Sequence, residues 1–379
     1  MSAPSCPYWR EYDSVAGTIC YCEVAAFNKK LTAEEMRAIG CTQERRQVCL
    51  SRMEARVGSS AVPTVAYDPP NVIADSVAKT SEKKAGLATG SLLVLGVLAG
   101  AYIAMGAQLS TVVTNDLAAR LGDGLSRLAG GITFSVGLIM VILAGAELFT
   151  GNNLVMALGL YDRRITWQAL LRNWTLVYLA NFLGALLLVA IFYATNLWLA
   201  NGAMVGAKAV LTAQAKVNLT FSEAFFRGIL CNWLVCLAVW LANAGKDAVS
   251  KILGIMLPVA AFVTSGFEHS IANMYFIPIG ILLSDQVQVA GALARLGQDP
   301  VAVGAALTWV KFLVANLIPV TLGNIVGGAI FVGGSYWAVY LHRPAAPKVK
   351  AAPETKAAPA AAPATGGRML SATGRGGKV

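Results

Sequence analysis

The sequence predicts an all-α integral membrane protein with six transmembrane helices. Only 13% of its 379 residues are charged, and the mean hydropathy is +0.60. A helical span needs about 20 apolar residues, and long segments with little or no charge recur along the chain. This composition excludes both an ordinary soluble domain and an intrinsically disordered chain.

Each predicted span corresponds to one of these segments. We place the crossings at residues 87–113, 130–159, 168–199, 222–243, 252–283 and 308–341. The second and fifth are unusual because an acid, Glu147 or Glu268, interrupts an otherwise charge-free run. A charge at membrane depth costs about 2.5–3.5 kcal/mol on insertion scales, so such a residue indicates a structural or functional role.

The two acids occupy the same motif, G-x-E-x-x-x-[GA]-N. The first copy runs from Gly145 to Asn152 and the second from Gly266 to Asn273. A glycine, a charge and a small residue followed by asparagine in mid-span predict that both helices are broken at matching depth. Matching interruptions in two halves of a chain indicate a transport site.

A second element supports an internal repeat. The pattern N-x7-N-x2-G begins at Asn173 after the first break and at Asn316 after the second. Each half then contributes a helix, a broken helix and a helix. Because three spans per half force opposite orientations, we expect an inverted 3+3 repeat.

Two segments flank the membrane domain, which we place at residues 67–343. Residues 1–66 hold five of the seven cysteines, and we predict a cytoplasmic extension with a helix at 31–57. No C-x-x-C pair occurs, so we interpret the cysteines as reduced thiols and expect no metal or other cofactor; zinc ligands or redox-sensitive pairs are the alternatives. Residues 344–379, rich in Ala, Pro and Lys, are predicted to be disordered.

The formal net charge of +10 comes mostly from these flanking segments and does not indicate nucleic-acid binding. By the positive-inside rule, basic residues before the first span and after the last place both termini in the cytoplasm or stroma. An even number of spans agrees. The sequence leaves plasma membrane and plastid envelope open.

His269 is the candidate for chemistry. It is the only histidine in the predicted spans and directly follows Glu268. Histidine changes charge near neutral pH, so an imidazole here can donate a hydrogen bond or a proton to a small anion. The alternative is a packed histidine bonded to a backbone carbonyl. Thr150, in the first break, either bonds His269 or caps the helix that follows.

The acids and asparagines of the breaks are interpreted as structural. Lipid cannot satisfy the N–H groups of unwound backbone. We therefore expect Glu147 and Glu268 to accept hydrogen bonds from those groups, with Asn152 and Asn273 beside them. Direct contact with a substrate is the alternative for the two carboxylates.

Longer stretches around these residues resemble the formate/nitrite transporter family. They run from Glu147 to Gly151, from Ser265 to Met274 and from Asn316 to Asn324, with Asp68-Pro-Pro and Gly100-Ala-Tyr-Ile-Ala near the first span. The resemblance covers about residues 67–343 and excludes both tails. The long extension and Ala/Pro-rich tail suggest a eukaryotic, algal member.

The resemblance implies an aquaporin-like fold, a homopentamer with one pore per protomer, and no enzymatic activity. It implies channel-like or proton-coupled transport of small monovalent anions, with nitrite and formate the leading substrates and bicarbonate or lactate as alternatives. Membrane lipids and protons are the other expected partners.

The resemblance also assigns the pore. It implies that His269 faces Thr150 and Asn232, and that Lys216 lies in a vestibule. It implies two apolar constrictions, formed by Phe134 and Phe262 on one side of the histidine and by Leu138, Leu148 and Phe149 on the other. From the residues alone, Lys216 is equally an interfacial lysine and Asn232 a helix–helix hydrogen bond.

Two other functions stay open at this point. A pore for water or glycerol would suit two broken helices, although paired Asn-Pro-Ala motifs are absent from the sequence. The second alternative is a sensor or scaffold whose functional region is the cysteine-bearing extension.

Overall fold

The computed structural model describes residues Trp9–Ser14, Gly17–Cys22 and 67–342. Strands β1 (Trp9–Ser14) and β2 (Gly17–Cys22) form an antiparallel hairpin in which Trp9 pairs with Cys22. We did not predict this hairpin, although its aromatic and β-branched residues favour strands. The predicted helix at 31–57 and the tail at 344–379 lie outside the described residues.

The membrane domain is all-α, as predicted. Its first half contains α1 (Pro70–Ala85), α2 (Thr89–Thr114), α3 (Leu117–Leu121), α4 (Asp123–Leu143), α5 (Phe149–Tyr161) and α6 (Trp167–Ala194). Its second half contains α7 (Ala200–Val217), α8 (Phe221–Ala244), α9 (Ala248–Thr264), α10 (Ser270–Ser284), α11 (Val287–Arg295), α12 (Pro300–Ala306) and α13 (Lys311–Leu341). A 3₁₀ turn, Leu197–Leu199, precedes α7, and parts of α13 have π-helical hydrogen bonding.

Two predicted spans are broken at the expected places. The second consists of α4 and α5, interrupted at residues 144–148, and the fifth consists of α9 and α10, interrupted at residues 265–269. Within the described residues, α2, α4, α6, α8 and α13 are long and apolar enough to cross a membrane alone. The predicted third span runs too far, because α6 ends at Ala194 and Asn196 adopts a left-handed backbone with φ 57°.

The glycines of the repeated N-x7-N-x2-G pattern bring helix backbones into contact. A Cβ on Gly184 in α6 would lie 2.0 Å from the carbonyl oxygen of Val97 in α2. A Cβ on Gly327 in α13 would lie 2.2 Å from the carbonyl oxygen of Ile229 in α8. Close approach through small residues is the usual means of packing membrane helices, and here the two halves use it at matching positions.

Polarity is inverted relative to a soluble protein. The acids and asparagines of both breaks are buried, whereas Leu179, Leu183 and Leu187 form an outward ridge on α6, each more than half exposed. A large exposed apolar surface of this kind is suited to lipid or to a second protein surface.

Candidate functional site

Both helix breaks use the same backbone turn. Gly145 and Gly266 adopt φ values of 79° and 75°, in the left-handed region that glycine enters without strain. The N–H of the glutamate in each break donates to a carbonyl of a neighbouring helix, with N···O distances of 3.2 Å for Glu147 and 3.3 Å for Glu268. The N–H of each glutamate is therefore satisfied within the protein.

In the first break the carboxylate of Glu147 joins a lysine and an asparagine. Lys84 Nζ lies 2.6 Å from Oε1 and Asn152 Nδ2 lies 2.8 Å from Oε2. Asn152 Nδ2 also donates to Asn173 Oδ1 at 2.9 Å. Lys84 reaches this buried group from α1, so the charge of the acid is neutralised inside the protein.

The second break repeats this arrangement. Lys216 Nζ lies 2.9 Å from Glu268 Oε1, and Asn273 Nδ2 lies 2.7 Å from Oε2. Asn273 Nδ2 also donates to Asn316 Oδ1 at 2.8 Å. The lysine again comes from a helix outside the predicted spans, α7.

The expected role of the glutamates was wrong in one respect. Their carboxylates bind side chains, and asparagines of the N-x7-N pattern bind the backbone. The N–H of Phe149 donates to Asn181 Oδ1 and that of Ser270 to Asn324 Oδ1, each at 2.9 Å. Each carboxylate accepts instead from a lysine and an asparagine.

Lys84 was missed as a site residue, since we counted it only among the basic residues before the first span. The spacing of the repeat contains the information needed to find it. Lys84 lies 12 residues before Gly96, and Lys216 lies 12 residues before Gly228. Each glycine lies in a helix that flanks a break, and its carbonyl accepts from the second asparagine of the pattern at 2.7 or 2.8 Å.

His269 and Thr150 meet between the two breaks. His269 Nε2 lies 2.9 Å from Thr150 Oγ1, and both residues are buried. His269 also caps α10, because its Nδ1 accepts the N–H of Ala272 at 3.0 Å. With Nδ1 an acceptor, the neutral imidazole carries its proton on Nε2 and donates it to Thr150.

The structure does not support the alternative, purely structural roles of these two residues. His269 bonds a backbone N–H and a hydroxyl, not a backbone carbonyl. Leu148, not Thr150, occupies the cap position of α5. The Thr150 hydroxyl is thereby available to the histidine.

Asn232 joins this centre through the backbone of Thr150. Its Nδ2 donates to the Thr150 carbonyl at 3.2 Å, to the Asn324 carbonyl at 2.7 Å and to Asn153 Oδ1 at 3.1 Å. We did not predict Asn153, because the motif assigned only the asparagine before it. Asn153 Nδ2 and Asn232 Oδ1 have no partner within the described residues. Two unsatisfied amide groups at the centre leave hydrogen-bonding capacity for water or a solute.

The predicted constriction residues are all buried. The rings of Phe134 and Phe262 meet edge to face with centroids 5.8 Å apart, and Phe262 lies 6.0 Å from the ring of His269. Leu138 and Leu148 lie in the hydrophobic core, and Phe149 packs on Tyr178 with centroids 4.9 Å apart. The structure therefore places the ring of Phe262 next to His269, whereas Phe149 directly precedes Thr150 in the chain.

A cavity of about 420 Å³ leads to the aromatic pair and His269; we call it the vestibule. Lys216 lines it, with Nζ 5.4 Å above the ring of Phe276, in cation–π contact. The wall holds four basic and two acidic side chains, Arg127, Lys208, Lys216 and Arg227 against Asp123 and Glu268. A positive excess in a concave wall raises the local concentration of anions.

The described residues contain no group of three or more His, Cys, Asp or Glu side chains that would hold a metal ion. What the site presents is hydrogen-bond donors and positive charge. This chemistry is suited to guiding and binding an anion.

Comparisons with known sequences agree on one family. The profile described as formate/nitrite transporter matches residues 71–338. A probable formate transporter of Methanothermobacter thermautotrophicus is 42% identical over 290 residues, covering 73% of this chain and 98% of the relative. The formate channel FocA of Escherichia coli strain K12 is 40% identical over 253 residues, covering 65% of this chain and 85% of the relative.

Solved structures agree with the sequences. A pentameric formate channel with formate bound matches with a TM-score of 0.60 and 40% identity, over 67% of this chain and 98% of that chain. An FNT family ion channel matches with a TM-score of 0.60 and 28% identity, over 70% of this chain and 98% of that chain. The relatives are named as transporters and channels, not as enzymes. The chain belongs to the formate/nitrite transporter family of integral membrane proteins.

Proposed function

We propose that this protein carries formate, and with it nitrite, across a membrane through a pore centred on His269. One observation carries the proposal: a buried histidine–threonine pair lies at the end of a positively charged vestibule, behind two phenylalanine rings. The relatives that are named formate transporters and channels support formate as the first substrate to test.

The physics favours entry of the anion and passage of the neutral acid. Positive charge concentrates the anion in the vestibule. Crossing between Phe134 and Phe262 removes water, and an unpaired charge is expensive in such surroundings. The anion therefore gains a proton before or at the constriction, because the low dielectric favours its neutral form.

The cap geometry suggests how His269 takes part. A proton on Nδ1 would displace the N–H of Ala272 and bring positive charge to the N-terminus of α10, which is itself the positive end of the helix dipole. We infer that His269 stays neutral and that its Nε2–H, which donates to Thr150 in the structure, turns to the solute when one is bound. The solute's proton is then supplied from the vestibule.

The assembly and topology that we propose follow the family. The matching formate channel is named as a pentamer, and we propose a homopentamer with one pore per protomer for this chain. We further propose six crossings in an aquaporin-like, inverted 3+3 arrangement over residues 67–343, with both termini in the cytoplasm or stroma. The exposed ridge on α6 is available to lipid or to a neighbouring protomer.

Bicarbonate, lactate and a neutral solute such as water or glycerol are the competing substrates. The vestibule favours an anion over a neutral solute, because its excess positive charge gives a neutral molecule no advantage. The protein is proposed to lie in the plasma membrane or the plastid envelope.

Uptake by reconstituted liposomes tests the proposal. Labelled formate, nitrite, bicarbonate, lactate and glycerol are supplied at two pH values, with empty liposomes as the control. We expect faster formate and nitrite uptake at the lower pH, since more of the neutral acid forms there. Glycerol uptake with no anion uptake would contradict the proposal.

A further inference from the structure

Within the described part of the chain, Lys208 is the vestibule cation that forms no ion pair with a carboxylate. The other three each have one, at N···O distances of 2.7 Å (Arg127–Asp123), 2.9 Å (Lys216–Glu268) and 4.0 Å (Arg227–Glu223). Among the residues that the structure describes, none offers a carboxylate oxygen within the same range of Lys208 Nζ. Its charge is therefore available to an arriving anion without displacing an existing ion pair.

Lys208 lies farther from the centre than Lys216. Both line the vestibule from the same face of α7, with Thr212 between them. Eight residues at 1.5 Å per residue separate the two lysines by about 12 Å along the helix. Because Lys216 contacts Glu268, next to His269, Lys208 lies toward the entrance, where Asp123 and Arg127 begin α4.

The surroundings of Lys208 strengthen the electrostatic attraction between its ammonium group and an anion. Its helix, α7, is not among those long and apolar enough to cross a membrane. Burial lowers the pKa of the Lys208 ammonium below its ordinary value; Asp123 opposes this and Arg127 adds to it. A bound anion stabilises a partly desolvated, unpaired ammonium group more than it stabilises an ammonium group that is exposed to water.

Two hydroxyl groups lie in the same cavity. Ser110 and Ser126 line the vestibule, and no hydrogen bond from either hydroxyl to a described residue is present. They are neighbours, because a Cβ on Gly130, one turn after Ser126, would lie 3.1 Å from Ser110 Oγ. Hydroxyl donors and a cation in one cavity are groups that recognise the oxygens of a carboxylate or similar oxyanion.

We propose that Lys208, with Ser110 and Ser126, forms an anion-binding antechamber that holds a small monovalent oxyanion before it reaches His269. Lys216 is less suited to this first step, because Glu268 and Phe276 already contact its ammonium group. The role in transport rests on the proposed function, whereas binding at the antechamber does not.

The test uses Lys208→Met in the full-length protein, with Lys311→Met as matched control. Lys311 is exposed at the start of α13 and lies outside the vestibule wall, so its loss removes the same charge elsewhere. Binding is measured by line broadening of ¹³C-formate with detergent-solubilised protein. Transport is measured as formate uptake by liposomes over a range of concentrations.

We expect Lys208→Met to reduce the broadening and to raise the half-saturating formate concentration about 3- to 10-fold at low salt. The maximal rate changes less than about 2-fold, and the difference shrinks in 1 M salt because the charge is screened. Lys208→Arg and Lys311→Met match the wild type. If Lys208→Met does not elute as the wild-type oligomer, Lys208→Gln replaces it.

The outcomes separate this site from the proposed function. Unchanged broadening and half-saturation in Lys208→Met, or equal effects of Lys311→Met, would overturn the antechamber. Lys208-dependent broadening in a wild-type protein that carries no formate would support the antechamber and overturn the proposed function.

Discussion

At the scale of single residues, the halves of the membrane domain share a scaffold and differ at its centre. Lysine, glutamate and asparagine networks are matched in both breaks. The polar residues at the centre have apolar or glycine counterparts in the other half: His269 against Leu148, Thr150 against Ile271, Asn153 against Met274, and Asn232 against Gly100. The shared residues hold the breaks, and we propose that the unshared ones contact the solute.

Sequence alone predicted part of this centre. The pairing of His269 with Thr150 was anticipated, because both lie in the repeated break. Asn153 and Lys84 were not, since a motif letter does not show which neighbouring helix will supply a partner. Lys208 likewise gains meaning only from the vestibule that tertiary packing forms.

Thr150→Val tests the histidine–threonine pair. The change keeps the shape and removes the acceptor at 2.9 Å from His269 Nε2. An unsatisfied buried donor costs about 1–3 kcal/mol, so we expect His269 to reorient and formate uptake to fall about 10-fold while assembly persists. Thr150→Ser, which keeps the hydroxyl, should retain most uptake; equal loss in both variants would contradict the pairing.

A comparison of Asn232→Leu with Asn153→Leu tests which of the two asparagines stabilises the fold. Asn232 donates to three acceptors, whereas Asn153 accepts one bond. Leaving buried acceptors unpaired costs about 1–3 kcal/mol, so Asn232→Leu should lower the melting temperature in detergent more than Asn153→Leu does. The reverse order would show that the hydrogen bonds around Asn232 are not the stabilising ones.

At the scale of elements, both breaks were predictable and their anchors were not. The positive φ at Gly145 and Gly266 follows from a repeated motif. The course of α7 does not, since Asn201, Gly202 and Ala203 all adopt left-handed backbone before it continues. The π-helical stretches of α13 also had no counterpart in the sequence, because the choice between α and π hydrogen bonding depends on packing against other helices.

Glu268→Gln tests the scaffold role of the carboxylates. Lys216 and Glu268 are both largely buried, and breaking a buried ion pair by removing one charge costs about 3–5 kcal/mol. We expect a large loss of assembled protein on size-exclusion chromatography, partly restored in the double variant Lys216→Met/Glu268→Gln. In the first break, Glu147→Gln and Lys84→Met should each cause a similar loss of assembled protein. A well-assembled but inactive Glu268→Gln would show that the carboxylate acts directly in transport.

Gly184→Ala tests the contact between α2 and α6. The added Cβ would meet the Val97 carbonyl at 2.0 Å, a backbone atom that cannot move without shifting α2. Gly124→Ala is the control, because no atom of the described residues lies within 4 Å of its Cβ position. We expect Gly184→Ala to reduce the yield of assembled protein strongly and Gly124→Ala to leave it unchanged; equal yields would contradict the contact.

At the scale of the whole molecule, we propose that residues 67–343 are sufficient for transport. The first residues of this domain contact its second half: Tyr67 pairs with Gly245, and the Asp68 N–H donates to the Ala244 carbonyl at 3.0 Å. Deleting residues 1–66 leaves these contacts in place. We therefore expect unchanged formate uptake in liposomes, whereas complete loss in an assembled truncation would favour a working role for the extension.

The most direct test of the central claim is pH-dependent formate and nitrite uptake by His269→Phe in liposomes. Phenylalanine keeps an aromatic ring near Phe262 and removes both the Nε2–H donor and the cap on α10. We predict that the variant assembles as the wild type does and that its uptake of formate and nitrite is abolished at every pH tested. Normal pH-dependent uptake of both anions by the assembled variant would contradict the assignment of His269 as the centre of the pore.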